Sequence, residues 1–333
     1  MTAIQSSDLE LSCGLPPGPD FADLALLAEQ LGYARVWIFE SAPLWEDPFI
    51  HLALAATRTA RIGLATAVLI PKQRSVMAMA SGAAAIARLS AGRFRACFGT
   101  GGTSMWTIGQ RPMSLDDLFG YVGTLRRLMD GGTATVDGRA MRMLHFRGMT
   151  ADRPLGVPLW ISVFGPRGHE RAPEVADGII GLPHPTLPTA TMVSGTVLDP
   201  GEDALSERAL QAVGPWRVLG WHSTYFRGGA SAVDALPGGR AWRSELEALG
   251  PEDERHLLTF EGHVTHLAQR DLPLLRQESP GGPSRGEILG GPEEFRLELD
   301  RLAAAGFREV IYTPSGPDLP RELRAFADAT RAG

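Results

Sequence analysis

The sequence predicts an α/β fold, a (β/α)8 barrel that forms a single domain over residues 1–333. Helix-like segments that end at glycine are followed within a few residues by β-rich runs, and this alternation is typical of parallel strands. Gly32 and Gly306 show the pattern most clearly, because each is followed by an aromatic residue and then by a valine. Glycine suits a left-handed helix end. About eight such β-rich runs can be counted, and eight strands close a parallel barrel.

The predicted strands are short apolar runs bounded by turn residues. They are Leu9–Gly14, Arg35–Phe39, Ile62–Val68, Phe94–Gly99, Pro158–Val163, Gly178–Leu182, Trp216–His222 and Glu309–Thr313. A hairpin insertion is expected before strand 5, where Asp137-Gly138 separates two β-type runs. An elaborated insert is expected after strand 7, at about residues 227–290. An open doubly wound sheet is the alternative, but no early strand precedes G-x-G-x-x-G with an acidic residue about 20 residues later.

Composition argues against several classes of function. The formal charge of -6 gives no electrostatic reason to expect nucleic acid or anionic lipid as a partner. No stretch offers the roughly 20 apolar residues of a membrane span. The first residues lack a basic start followed by an apolar run, so we expect no secretory signal and a cytoplasmic protein. Cys13 and Cys97, the two cysteines, cannot build a four-thiolate metal site.

A series of motifs runs along the chain in a specific order. They are VWIFE, EDPF and LALAATRTARIGLATAVLIP within 36–71, ARLSAGRFRACFGTGG at 87–102, IGQRP at 108–112, VPLWISVFGPRG at 157–168, ADGII at 176–180 and GGPEEFRLELDRLAAAGFREVIYTP at 290–314. In order and spacing they resemble the luciferase-like superfamily of flavin- and deazaflavin-dependent oxidoreductases, the bacterial luciferase-like monooxygenases. Within it, the pattern is most similar to the branch that uses the deazaflavin coenzyme F420.

The resemblance implies hydride transfer between F420 and a small organic substrate, in a homodimeric enzyme. The alternatives are an FMNH2-dependent monooxygenase served by a separate flavin reductase, and a catalytically inactive barrel that binds a ligand. A metal-dependent hydrolase is disfavoured, because Cys13-Gly14-Leu15 stands where such a barrel would carry His-x-His. His256, His263 and His266 match no standard ligand spacing, so no metal is expected. The motifs do not name the substrate.

Three candidate proton donors or acceptors lie at the carboxyl ends of predicted strands, where βα loops converge. They are Glu40, His184 and His222, after strands 2, 6 and 7. The resemblance places Glu40-Ser41 where many deazaflavin-using relatives carry an Asp-His pair. The alternative for Glu40 is a cap on the helix near Asp47, and for each histidine it is a structural hydrogen bond.

The candidate cofactor-binding residues follow strands 2 to 5. The resemblance implies that Ala67, Val68 and Leu69 lie behind the ring, often with a non-prolyl cis peptide, for which Val68–Leu69 is the candidate bond. Ser41 and Trp45 would border the ring, and a glycine-rich turn would let it approach the backbone. A helix start after strand 5 would bind a phosphate group. The glycine-rich turn consists of Gly99, Thr100 and Gly101. The helix start consists of Phe164, Gly165, Pro166 and Arg167.

Overall fold

Eight parallel strands close into a barrel in the computed structural model, which describes residues 9–146, 148–277 and 286–331. The barrel strands are β1 Glu10–Leu15, β2 Arg35–Ile38, β3 Gly63–Thr66, β4 Phe94–Phe98, β7 Leu159–Val163, β8 Gly178–Gly181, β9 Thr189–Val197 and β11 Glu309–Tyr312. Their order in the sheet is β9-β11-β1-β2-β3-β4-β7-β8, and β8 pairs again with β9, which closes the ring. The predicted (β/α)8 barrel is thus confirmed.

Helices follow most of the barrel strands, and several begin at a side-chain cap. Asp47, Ser75 and Ser114 each accept a hydrogen bond from a backbone N–H of the first helical turn, which satisfies a donor that the helix itself leaves unpaired. The helices are α1 Phe21–Gln30, α2 Pro48–Arg58, α3 Val76–Leu89, α4 Gly102–Trp106, α5 Leu115–Met129, α6 Pro166–Arg171, α7 Glu207–Arg217, α8 Leu219–Asp234, α9 Gly239–Ala248, α10 Arg255–Thr259, α11 Pro292–Ala304 and α12 Leu319–Thr330.

A two-stranded hairpin lies between α5 and β7. Its strands, β5 Ala134–Val136 and β6 Arg139–Met141, pair antiparallel. Asp137 and Gly138 both have positive φ in the connecting turn, which is the conformation that a two-residue hairpin turn requires. The chain therefore leaves the barrel briefly before its fifth strand.

The chain divides into two compact units. The first runs up to Gly102 and adds Pro112–Thr191 and Leu302–Ile311, so it contains β1 to β4, β7, β8, the start of β9 and most of β11. The second contains Thr103–Arg111, Met192–Arg301 and the residues from Tyr312 onward. Its buried core includes Trp221 and Trp242, and β10 Glu287–Gly290 pairs with the later part of β9 there. The single-domain organisation stays a prediction. Within the described ranges, no helix is both long and apolar enough to cross a membrane.

The predicted seventh strand, Trp216–His222, is wrong. Those residues belong to the end of α7 and the start of α8, whereas the seventh barrel strand is β9. Residues 182–188 join β8 to β9 without a helix, so the helix-then-strand pattern stops at this point of the chain. The connection after the seventh strand consequently begins at residue 198, and the predicted insert covers only its later part. Residues 278–285 of that insert lie outside the described residues.

A buried carboxylate ties four barrel strands together near their starts. Glu309 of β11, 1% exposed, accepts hydrogen bonds from Ser12 Oγ of β1 at 2.6 Å, Trp37 Nε1 of β2 at 2.7 Å and Arg95 Nη1 of β4 at 2.7 Å. Arg35 Nε lies 3.5 Å from the same carboxylate. Because Glu309 is the first residue of β11, its carboxylate lies away from the carboxyl-terminal rim and stabilises the barrel.

Replacing Glu309 with alanine should lower the free energy of unfolding by about 3–5 kcal/mol, because two largely buried guanidinium groups lose their shared counter-ion. Urea unfolding followed by circular dichroism measures the change. Asp23→Ala is the matched control, since Asp23 pairs with Arg58 on the surface, and an exposed pair contributes only about 0–1 kcal/mol. Equal effects of the two substitutions would contradict a structural role for Glu309.

Candidate active site at the barrel mouth

The carboxyl-terminal tips of β2, β3 and β4 are joined by backbone hydrogen bonds. Ala67 N–H donates to Ile38 O and Leu69 N–H donates to Cys97 O, both at 2.7 Å, while Gly99 N–H donates to Leu69 O at 3.1 Å. The strand β7 continues the same edge, because it pairs with β4 in parallel. The tips after β2, β3, β4 and β7 are therefore consecutive on one rim. Their predicted site residues are Glu40 and Ser41, Ala67, Val68 and Leu69, Gly99, Thr100 and Gly101, and Phe164, Gly165, Pro166 and Arg167.

A non-prolyl cis peptide bond is present at the tip of β3, but one residue earlier than predicted. The bond joins Ala67 to Val68, so the prediction of Val68–Leu69 is wrong. The strand ends at Thr66, and Leu69 already forms a parallel bridge with Phe98 of β4. Leu69 is thus fixed by regular backbone pairing, and the irregular peptide precedes it.

The glycine-rich turn after β4 is packed tightly against the tip of β3. A Cβ atom added at Gly99 would lie 2.6 Å from Val68 Cγ2, which is closer than two carbon atoms approach. Gly101 has φ +83°, a conformation that glycine adopts without strain. Thr100 O accepts a hydrogen bond from Met113 N–H, which holds the turn. Gly99 is therefore required by packing and Gly101 by backbone conformation.

Gly99→Ala should lower the free energy of unfolding by about 1–3 kcal/mol, because the new methyl group overlaps Val68. Val68→Ala in the same chain should recover part of that loss, so the two substitutions are less than additive. Thermal and urea unfolding of both single variants and the double variant give the coupling. Gly120→Ala is the control, because the exposed Gly120 lies within α5 with nothing near an added Cβ. Full additivity would rule out the proposed contact.

Glu40 is buried at the tip of β2 and both of its carboxylate oxygens accept hydrogen bonds. Oε2 accepts from Ile70 N–H, and Oε1 accepts from Arg74 Nε at 2.9 Å. Burial raises the pKa of Glu40, while the Ile70 N–H and the Arg74 guanidinium oppose that rise. Asp47 caps α2 by accepting from Phe49 N–H. The alternative reading of Glu40 as the cap of that helix is therefore wrong.

Ser41 and Trp45 lie in the loop that follows Glu40. Ser41 is 3% exposed, and among the described residues its Oγ has no hydrogen-bond partner. Such a hydroxyl is costly unless a ligand or water completes its hydrogen bond. Trp45 is half-buried, with its ring centroid 5.8 Å from that of Phe39. Ser41 is thus the polar group of this rim that is best placed to accept a ligand contact.

The segment after β7 begins a short helix. Gly165 is the N-cap of α6 and Pro166 is its first residue, as predicted from the sequence. Phe164 is 56% exposed, which places a large apolar ring in solvent at the rim. The Arg167 guanidinium donates to both oxygens of Asp116, at 2.8 and 2.7 Å. Arg167 therefore has an internal partner, and phosphate binding at this segment stays a prediction.

His184 lies in the loop between β8 and β9 and shapes that loop. Its Nδ1 accepts hydrogen bonds from Thr186 N–H and Leu187 N–H, both at 3.1 Å, and its backbone N–H donates to Thr189 Oγ1. The ring also lies against His169, with centroids 4.6 Å apart. Burial, and secondly His169, lower the pKa of His184. These contacts fit the structural reading of this histidine, beside the start of β9.

The neutral form of His184 is favoured by the fold, so its contribution to stability is complete above the unfolded pKa of about 6.5 and is lost as the pH falls through the lower folded pKa. His184→Asn keeps an acceptor for the loop N–H groups and does not titrate. The difference in unfolding free energy between wild type and variant should shrink as the pH is lowered from about 7.5 to about 5. Urea unfolding at both pH values measures it, and a pH-independent difference would contradict the assignment.

His222 does not lie at the end of a strand, so the basis of its prediction as a candidate proton donor is wrong. It is buried in α8 of the second unit, where its Nε2 lies 3.1 Å from Asp271 Oδ1. Trp242 Nε1 donates to the same oxygen, and the Trp242 ring stacks on His222 at 5.3 Å. The helical location follows from the error in the seventh strand.

Sequence reasoning missed two residues that build the surroundings of Glu40. Arg74 pairs with Glu40 and with Asp47. Tyr121 of α5 donates through its hydroxyl to Arg74 O at 3.2 Å. No sequence signal connects these positions, because 34 and 47 residues separate the paired groups. Over the described parts of the chain, no group of three or more metal-ligating side chains is assembled.

The family described as luciferase-like monooxygenase matches residues 5–193, which include most of the barrel strands and the rim described above. The chain belongs to the luciferase-like monooxygenase family. The suspected resemblance to luciferase-like oxidoreductases is thereby confirmed. Residues 5–193 end within β9, so the match excludes most of the second unit.

Relatives of this luciferase-like chain include a 5,10-methylenetetrahydromethanopterin reductase of Methanolobus tindarius, which is 31% identical over 170 residues. The match covers 49% of this chain and 50% of the relative, so the chain spans about half the length of that curated protein.

Solved structures share the fold of the luciferase-like chain at low sequence identity. An F420-dependent secondary alcohol dehydrogenase in complex with an F420-acetone adduct has a TM-score of 0.66 at 15% identity, covering 99% of this chain and 100% of that one. The coenzyme F420 dependent tetrahydromethanopterin reductase from Methanopyrus kandleri also has 0.66, at 16% identity, covering 98% of each chain. The monooxygenase RslO1 from Streptomyces bottropensis has 0.59 at 18% identity, covering 96% and 98%.

Proposed function

We propose that this chain is an oxidoreductase that binds the deazaflavin coenzyme F420 at the rim formed by the tips of β2, β3, β4 and β7. The observation that supports the proposal is the buried Ser41 hydroxyl, which has no hydrogen-bond partner among the described residues. It belongs to the same rim as the cis peptide Ala67–Val68 and the glycine-rich turn. A flat ring with a polar edge could form a hydrogen bond with this hydroxyl. It could also lie directly against the backbone of the glycine residues, which carry no side chains.

The residues of the rim fit such a group by their chemistry. Ser41 would donate or accept a hydrogen bond at the polar edge of the ring. Gly99 and Gly101 carry no side chain that would hold the ring away from the backbone. The exposed ring of Phe164 would bury apolar surface against the ligand, which is energetically favourable.

F420, when bound, supplies a carbon that accepts or gives a hydride. The protein would position the cofactor and a small organic substrate and exclude water around them, which is the usual contribution of a protein to cofactor chemistry. Support for F420 over FMN comes from the relatives, since the two structures with a TM-score of 0.66 are named as F420-dependent. Homodimer formation, expected from the resemblance, stays part of this proposal.

The second candidate function is an FMNH2-dependent monooxygenase supplied by a separate flavin reductase. The name of the matching family and the similarity to the monooxygenase RslO1 favour it. Both candidates would use the same rim, so the identity of the bound ring distinguishes them.

Titration of the purified protein with oxidised F420 and, separately, with FMN tests the proposal through the quenching of ligand fluorescence. We expect saturable binding of F420 only. Saturable binding of FMN alone would replace the proposal with the monooxygenase. Binding of neither ring would leave the third possibility, a barrel that binds another ligand without redox chemistry.

Ser41→Ala should weaken F420 binding by about 2- to 10-fold, because one hydrogen bond contributes about 0.5–1.5 kcal/mol. The same variant should unfold no more easily than wild type, since it removes a buried hydroxyl that has no partner in the protein. Ser90→Ala is the control. Ser90 is a buried serine before β4, and its Oγ donates to Ala87 O, so its removal should affect stability and leave F420 affinity unchanged. Unchanged affinity in Ser41→Ala would contradict the assignment of this hydroxyl.

A further inference from the structure

The segment 67–74, which follows β3, is held by one carboxylate at two points. Glu40 Oε2 accepts from the N–H of Ile70 in the middle of the segment, and Oε1 accepts from the side chain of Arg74 at its end. The Glu40 side chain is 2% exposed. Both oxygens are therefore committed to the segment, and neither faces solvent.

Arg74 is in turn held from three directions. Its Nη2 donates to Asp47 Oδ2 at 2.9 Å, and its guanidinium carbon lies 5.1 Å from the centroid of the Phe49 ring at the start of α2. Its backbone carbonyl accepts from the Tyr121 hydroxyl of α5. A planar guanidinium can donate to two carboxylates and stack on a ring at once, which a lysine ammonium cannot do.

We infer that Glu40 and Arg74 are a positioning pair that fixes the 67–74 segment as the wall of the cofactor site, and that Glu40 does not transfer a proton to the substrate. A general acid or base must come within hydrogen-bond reach of the reacting group. A buried carboxylate with one oxygen bonded to the Ile70 N–H and the other to Arg74 does not meet that condition. The inference rests on the proposed function only in one respect, namely that the ligand in contact with the 67–74 segment is F420.

The pair also separates the roles of two neighbouring residues. The acid at position 40 bonds the β3 tip, and Ser41 is left as the polar side chain that is free of protein partners within the described residues. The two neighbouring residues thus have separate tasks, since one orders the wall and the other contacts the ligand.

Amide hydrogen exchange of the protein without added cofactor tests the positioning pair directly, in wild type, Glu40→Gln, Arg74→Met, Arg74→Lys and the double variant Glu40→Gln/Arg74→Met. We expect peptides covering 67–74 to exchange at least about 10-fold faster in Glu40→Gln and in Arg74→Met, because opening of the segment becomes easier. In the double variant these peptides should exchange about as fast as in the more affected single variant, since both substitutions remove the same Glu40–Arg74 interaction. Arg74→Lys should recover part of the protection. Arg58→Met is the control, because the exposed Arg58 on α2 pairs with Asp23.

F420 affinity, measured by fluorescence, provides the second readout. A positioning pair predicts that Glu40→Gln and Arg74→Met weaken F420 binding by similar factors. Unchanged exchange over 67–74 in both variants would overturn the inference, as would a strong effect of Glu40→Gln together with a harmless Arg74→Met. Because exchange is measured without cofactor, failure of F420 to bind would overturn the proposed function and leave the exchange result to decide the positioning pair.

Discussion

Parallel pairing around the whole ring is the constraint on which the rest of this structure depends. Because each barrel strand runs in the same direction as its neighbours, every strand delivers its carboxyl end to the same rim. The backbone bonds from Ala67 to Ile38 and from Leu69 to Cys97 extend that pairing beyond the regular strands. Residues that are far apart in the sequence, such as Ser41 after β2 and Ala67 after β3, therefore come from neighbouring tips. Closure of the parallel sheet is therefore sufficient to bring the strand tips together into one rim.

The two ends of the barrel carry buried charges with different purposes. Glu309 at the strand starts gathers a hydroxyl, an indole N–H and a guanidinium from three other strands, which stabilises the ring of strands. Glu40 at the rim bonds an irregular segment, the one that contains the cis peptide Ala67–Val68. Both carboxylates are buried and both pair with arginine. Their difference is that Glu309 joins regular strands, while Glu40 orders the loop against which a ligand would lie.

Much of the barrel could be predicted from the sequence because its signals are local. The glycines that end helices and the short apolar runs between turns locate seven of the strands to within a few residues. The seventh strand was missed because its sequence, TATMVSGTV, is rich in hydroxyl groups. The hydrogen-bond partners of these hydroxyl groups lie far away in the sequence. Thr196 Oγ1 donates to Glu322, and no helix separates β9 from β8. The run around Trp216 was predicted as a strand because it is apolar, but it forms two helices that bury aromatic side chains.

The candidate site was predictable in position and less so in detail. Resemblance located the cis peptide at the β3 tip to within one bond, and the structure places it at Ala67–Val68. The partners of Glu40 could not be predicted, because side-chain contacts across 30 and 34 residues leave no periodic pattern. The surroundings of the two histidines could not be predicted for a related reason, since the ring of His184 bonds its own loop and His222 lies in a helix.

A crystal structure of the protein grown with oxidised F420 would show directly where the cofactor binds. We expect the deazaflavin ring against the tips of β2, β3 and β4, with its polar edge within hydrogen-bond distance of Ser41 Oγ and its face beside Val68. A ring bound at the strand starts, or at a surface that none of these tips reaches, would contradict this expectation.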